Sequence, residues 1–278
     1  MKKAFKFNLG QFPAPTQHGA WAFWLIPAFM GLALSGTWRW STLLVVLGFL
    51  LIFLSHQPII RALRKWYFRK QHDINSISWA LLLSGSGLIL LAVLFIINRL
   101  WLAILLGFFV SIAFTFHIIL TLKKEHLSIP GEIIGVFGLT AAAPLIYLYL
   151  HGVLDAVGWV LWAINFLYFT GSVFYVKLRL RIQPTQPERN IIGKISTGAP
   201  LLLYALGVLI FMVSVTFLRN YSWLFFTAFV PFFIKVLWGV YNWQRNVKLK
   251  PSRLGFSELA HSICFGCISI LGFFTSGI

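Results

Sequence analysis

Six acidic side chains stand among 23 basic ones in this 278-residue sequence, so each carboxylate is a candidate for chemistry. Glu132 follows Pro130-Gly131, and Glu258 follows Gly255-Phe256-Ser257, each where an apolar helix is predicted to begin. A carboxylate in a first helical turn favours the positive helix end by about 0.3–1 kcal/mol, so a cap alone would account for either. His261 lies three residues after Glu258 and shares its helical face. His18 lies in PTQHGAW (Pro15 to Trp21), His56 and Gln57 in SHQP at the predicted end of the second helix, and Tyr175, Lys177 and Arg179 in YVKLRLR at the predicted end of the sixth. If these helix ends converge, they line a polar mouth on one side of a bundle. If they do not, they are interfacial residues spread around its perimeter. Asp73, Glu125, Asp155 and Glu188 fall in polar connections, where solvation and local pairing suffice.

Glu258-x-x-His261 with Glu132 on another helix is a fragment of the di-iron bundle ligand set. That set needs four carboxylates and two His, so no metal is expected. A haem would require His18 and His56 to face each other, which the sequence leaves open; no cofactor is assigned. Cys264 and Cys267 read as buried apolar thiols rather than a redox pair, because a helical C-x-x-C in hydrocarbon lacks further ligands. Within the spans, Lys235 is expected to snorkel to the surface, and Asn165 to hydrogen-bond a neighbouring helix.

The elements that must position these residues are transmembrane helices. The sequence is 59% hydrophobic and 10% charged, with a mean hydropathy of +0.84, which excludes a soluble domain. Apolar segments of about membrane-spanning length run over 19–36, 41–57, 77–97, 100–121, 131–150, 157–176, 196–218, 222–243 and 257–277. Lys2, Lys3 and Lys6 precede the first, which is too long for a signal-peptide core and reads as a retained helix. Every Lys and Arg except Arg39, Arg99, Arg219 and Lys235 falls in the amino-terminal tail or in every second connection. Positive charges stay on the cytoplasmic side during insertion. The pattern therefore predicts nine spans, amino terminus cytoplasmic and carboxyl terminus extracytoplasmic. The net charge of +17 is absorbed by these connections facing the lipid bilayer, and no nucleic-acid-binding element remains. The longest polar connections, about 58–76 and 177–195, follow the second and sixth helices. They suggest one transmembrane domain of internal halves 1–127 and 128–250 with a final helix at 257–277.

The run PTQHGAWAFWLIP (Pro15 to Pro27), with HGAW at His18 to Trp21, and the later Gly255-x-x-Glu258 resemble the YwiC-like family of bacterial membrane proteins. That resemblance implies a membrane protein without assigning an activity. The predicted architecture is more distantly similar to UbiA-type intramembrane prenyltransferases, which have nine helices, a four-plus-four arrangement and a cytoplasm-facing site. Their two Asp-rich motifs, after the second and sixth helices, bind the magnesium that holds an isoprenyl diphosphate. The matching stretches here, SHQPIIRALR (Ser55 to Arg64) and YVKLRLR (Tyr175 to Arg181), contain no acidic residue, and magnesium requires such hard oxygen ligands. Arg61, Arg64, Lys177 and Arg179 could instead neutralise an anionic head group directly.

The expectation is thus an all-α, polytopic membrane helical bundle whose inward polar pocket takes a lipidic or isoprenoid-like anionic molecule, with catalysis left open. A small-solute transporter or channel using broken helices near Pro27, Pro144 and Pro200 is the alternative, as is a non-catalytic subunit assisting a respiratory or cofactor-assembly complex.

Overall fold

In hydrocarbon each backbone polar group must be satisfied within the protein, so long apolar runs become helices. The computed structural model describes residues 18–123, 128–186, 190–243 and 251–277, and among them there is no strand. The helices are α1 (His18–Leu34), α2 (Thr42–Arg69), α3 (Ile74–Ile97), α4 (Trp101–Leu122), α5 (Ile129–Thr140) and α6 (Ala142–His151). They continue with α7 (Ala156–Lys177), α8 (Ile191–Leu218), α9 (Trp223–Thr227), α10 (Val230–Tyr241) and α11 (Pro251–Phe274). Taken with the joined pairs α5/α6 and α9/α10, eight passes are long and apolar enough to cross a membrane, and α1 adds a shorter one. The chain is a multi-pass membrane protein built as a helical bundle, with its passes where the apolar segments predict them.

Two passes break. Pro144 and Pro231 cannot donate the backbone hydrogen bond that a continuing helix would need, and each follows its break by a few residues. Pro27, Pro58 and Pro200 instead lie inside continuous helices, so of the three breaks expected for a transporter only the one near Pro144 is present.

Two helices run well past their predicted ends. α2 continues through Pro58 to Arg69 and stops at Lys70 in a left-handed conformation. α7 leads into a π-helical turn, Leu178–Ile182, and a 3-10 turn, Gln183–Thr185. The expected long connections at 58–76 and 177–195 are therefore mostly helical: Lys and Arg are good helix formers, and nothing earlier breaks the backbone.

Of the eight long passes, α5/α6 is the most enclosed, with 67% of its apolar 18-residue stretch buried against 11% for α4. α1 crosses α6 so closely that a Cβ on Gly31 would sit 2.5 Å from the Ala143 carbonyl oxygen. At one end of the bundle lie Arg61, Arg64, Lys65, Lys177 and Arg179 with their partners; this is called the basic end below. At the far end Thr37 donates to the Leu150 carbonyl at 3.1 Å, and Ser276 Oγ accepts from the Ser222 N–H at 2.8 Å.

At the basic end Asp73 caps α3, accepting from the Ser76 N–H at 3.3 Å and the Ser76 hydroxyl at 2.8 Å, and it pairs with Lys65 at 2.7 Å and Arg61 at 3.5 Å. Partial burial pushes its carboxyl up, but the bonds from Lys65 and Ser76 outweigh this and hold it below its ordinary value of 3.8. A carboxylate depressed in the folded state contributes stability above its unfolded pKa and loses it as pH falls through the lower folded value. Acid unfolding in detergent should therefore show a destabilising phase below about pH 4 that Asp73→Asn abolishes; an unchanged acid profile would remove this role.

Candidate functional site

Helix α7 and the π turn that continues it carry the polar chemistry on two opposed faces. Asn165, Tyr168, Ser172, Tyr175 and Arg179 recur every three or four residues, which places them on one stripe, and all are buried. Lys177 points to the other side, toward α5.

On that second side Ser128 caps α5 by accepting from the Gly131 N–H at 3.2 Å, which sets Glu132 in the first turn. Glu132 Oε1 lies 3.4 Å from Lys177 Nζ, with side chains 27% and 10% exposed, and Arg181 acts electrostatically on both. Glu132 directly precedes Ile133, one of the residues lining an open apolar groove of about 620 Å³ between α4, α5 and α7. Its walls include Ile112, Ala113 and Phe116 from α4, Ile133, Ile134 and Phe137 from α5, and Trp159, Trp162 and Phe166 from α7. One turn beyond Ala113, His117 Nδ1 lies 3.0 Å from the Gly131 carbonyl, and its ring lies 5.3 Å from that of His56 on α2. A Cβ on Gly135 would come within 3.3 Å of that ring, so the glycine lets His117 lie flat on α5.

Facing the polar stripe, Lys235 of α10 donates to Glu258 Oε2 at 2.7 Å and to the Ser172 hydroxyl at 3.1 Å. Its ammonium lies 5.4 and 5.2 Å from the Tyr168 and Tyr175 ring centres, where the ring faces favour a cation. Gly171 and Gly239 permit the approach: a Cβ on either would strike Phe232 or Tyr175 at 2.4 or 2.5 Å. Nearer the basic end, Arg179 donates to Gln183 Oε1 at 2.9 Å and to the Asn242 carbonyl at 2.6 Å, while Gln183 donates to the Gly239 carbonyl at 2.7 Å. The widened π turn carries Arg179 into this buried network beside α10.

The nine candidate pocket residues thus divide. Glu132 and Lys177 meet on one face of α7, Tyr175 and Glu258 gather around Lys235 on the other, and Arg179 joins Gln183 and Asn242 nearer the basic end. His56 pairs with His117 between α2 and α4, and Gln57 is half-buried on α2. His261 turns to the Ser257 carbonyl of its own helix at 2.6 Å. His18 opens α1, but its side chain lies outside the described residues, as do Glu125 and Glu188. Of the anion candidates, Arg61 sits at the surface with Asp73, Arg64 donates to the Thr121 carbonyl at 3.4 Å, and Arg179 is spent on Gln183 and Asn242. Lys177 is the one of the four that pairs with Glu132, the residue before groove-lining Ile133.

Four expectations are corrected. Lys235 does not snorkel: it is 5% exposed and ion-paired, because Glu258 and two tyrosines meet it in the interior. Asn165 bonds within its own helix, to the Leu161 carbonyl at 2.8 Å. Cys264 and Cys267 are exposed on the outer face of α11, not buried. Glu258 lies two turns inside α11, not at its start, because that helix begins at Pro251. Sequence reasoning missed Lys235, Tyr168, Gln183 and His117 as site residues. The three-and-four spacing of polar residues along α7, and a Lys inside an apolar span, were the available signals.

The model of the YwiC-like protein family matches residues 14–147. A curated Bacillus subtilis (strain 168) relative, uncharacterized protein YwiC, is 26% identical over 167 residues, covering 60% of this chain and 66% of that protein. The chain thus spans just under two thirds of that relative. No solved structure matches.

Proposed function

We propose that this chain, similar to the YwiC-like protein family over residues 14–147, binds an amphiphile whose apolar tail lies in the α4/α5/α7 groove and whose anionic head meets Lys177. The observation that supports this reading is that α5 and α7, which wall the groove, are also the helices that hold the Glu132–Lys177 pair, with Glu132 directly before the groove residue Ile133. An anionic head group would take the place of Glu132 on Lys177, with Arg181 adding charge. The donor set, one carboxylate beside two cations, suits an anion held directly better than a magnesium-bridged diphosphate. The basic end then faces the cytoplasm of a bacterial inner membrane, where cationic connections are retained.

Titration of the purified chain with lysophosphatidate and with lysophosphatidylcholine of equal chain length, followed by native mass spectrometry, tests this. The anionic lipid should bind more tightly. A bond to a charged group contributes about 1.5–3 kcal/mol, so Lys177→Met should weaken binding roughly 10- to 100-fold. Ala113→Trp, which fills the groove floor, should abolish it. Equal binding of both lipids, unaltered by Lys177→Met, would remove the proposal.

A further inference from the structure

The last turn of α2 is left unexplained by the groove, which none of its residues lines. Helices α2 and α3 pack as an antiparallel pair: a Cβ on Gly48 would lie 2.7 Å from the Leu91 side chain, and one on Gly87 would lie 2.8 Å from the Gly48 carbonyl oxygen. Followed toward the basic end, the same register brings Lys65 to Asp73, the N-cap of α3, at 2.7 Å. Since α3 begins there, the next four residues of α2, Trp66, Tyr67, Phe68 and Arg69, overhang it. Successive residues of a helix point about 100° apart, and Trp66, Tyr67 and Phe68 are 50, 53 and 52% exposed. Three neighbouring directions are open at once, so the bundle covers little of this turn.

Charge gathers at the same place. Arg69 and Lys70 are exposed beside the rings, and the Lys70 ammonium lies 5.9 Å from the ring centres of both Trp66 and Tyr67. The Asp73 carboxylate is taken by Lys65 and Arg61, and among the described residues no carboxylate pairs with Arg69 or Lys70. With 28 residues α2 is about 42 Å long, which exceeds a hydrocarbon core of about 30 Å. Its first half is apolar, so its charged end stands in the head-group layer. Exposed rings beside cations suit that layer, where aromatic side chains anchor and cations meet phosphate.

We propose that this overhang is a docking surface for anionic phospholipid, with Arg69 and Lys70 on the head-group phosphate and Trp66, Tyr67 and Phe68 among the glycerol and upper acyl chains. Charge complementarity selects the occupant: the trimethylammonium of phosphatidylcholine meets two like charges, whereas phosphatidylglycerol presents its phosphate alone. The bonds from Lys65 and Arg61 to Asp73 hold the turn against the start of α3. The surface is separate from the amphiphile groove and holds or fails independently of it.

The test uses phosphatidylcholine vesicles that hold the full chain and a trace of phosphatidylglycerol with a photoactivatable group on its head, the labelled peptides being mapped. Label should fall on residues 66–72, and unlabelled phosphatidylglycerol mixed into the vesicles should compete for it where phosphatidylcholine and inorganic phosphate do not. Each cation near an anionic lipid contributes about fivefold, so Arg69→Gln with Lys70→Asn should weaken the affinity roughly 30-fold. Asparagine tolerates the left-handed conformation that Lys70 adopts at φ 52°. High salt should weaken labelling of the wild-type chain and leave that of the double variant unchanged. The swap Arg69→Lys with Lys70→Arg keeps both charges and should keep the affinity, and Lys177→Met, which acts on the groove, should not alter it. Label spread away from residues 66–72, equal competition by phosphatidylcholine or by inorganic phosphate, or undiminished affinity in the folded double variant overturns the proposal.

Discussion

Glu258→Gln should be the most damaging single change in the interior. It leaves the Lys235 ammonium 5% exposed without its counter-charge, and the Ser172 hydroxyl and two tyrosine faces cannot replace a carboxylate at 2.7 Å. Removing one member of a buried pair costs about 3–5 kcal/mol, whereas removing both charges and keeping the volume is close to neutral. Thermal unfolding in detergent, followed by intrinsic fluorescence, should therefore show a large drop in Tm for Glu258→Gln and for Lys235→Met alone, with most of it recovered in the double variant. A double variant as unstable as the worse single one would mean that the two residues act separately.

The second large effect is expected where helices touch by backbone. A Cβ on Gly31 would stand 2.5 Å from the Ala143 carbonyl oxygen and 3.2 Å from its Cα, and neither atom can rotate away. That contact docks α1 on the start of α6, whose residues 142–150 are all buried. Overpacking costs about 1–3 kcal/mol where side chains can yield, so Gly31→Ala should reach the upper part of that range and Gly31→Val exceed it. Gly107 on α4 is the counterpart, since a Cβ there meets nothing within 4 Å. Gly107→Ala should leave stability unchanged or raise it by up to about 1 kcal/mol, because alanine is the better helix former. Equal losses at the two positions would refute the close α1/α6 crossing.

The passes and their order are legible in the sequence because a span needs about 20 apolar residues and because cationic connections alternate. The helix ends are not: Arg61 to Arg69 reads as a loop by polarity, yet Lys and Arg extend α2 until Lys70 turns left-handed. Which face of a span points inward is also hidden, since lipid and protein interior are both apolar. Cys264 and Lys235 were misplaced for that reason: one faces outward and the other inward on similarly apolar helices. Glu132 and Lys177 were both visible as candidates, but their pairing depends on how α5 packs on α7, which no local pattern encodes.

Photo-crosslinking asks most directly whether an anionic amphiphile occupies the groove. Vesicles holding the chain would carry a phosphatidic acid with a diazirine midway along its acyl chain, and the labelled peptides would be mapped. Labelling should concentrate on Phe116, Ile134 and Phe166 and fall in Lys177→Met. Labelling spread evenly over lipid-facing surfaces such as Leu81 and Ile89 of α3 and Leu203 and Ile210 of α8, and unchanged in that variant, would contradict it.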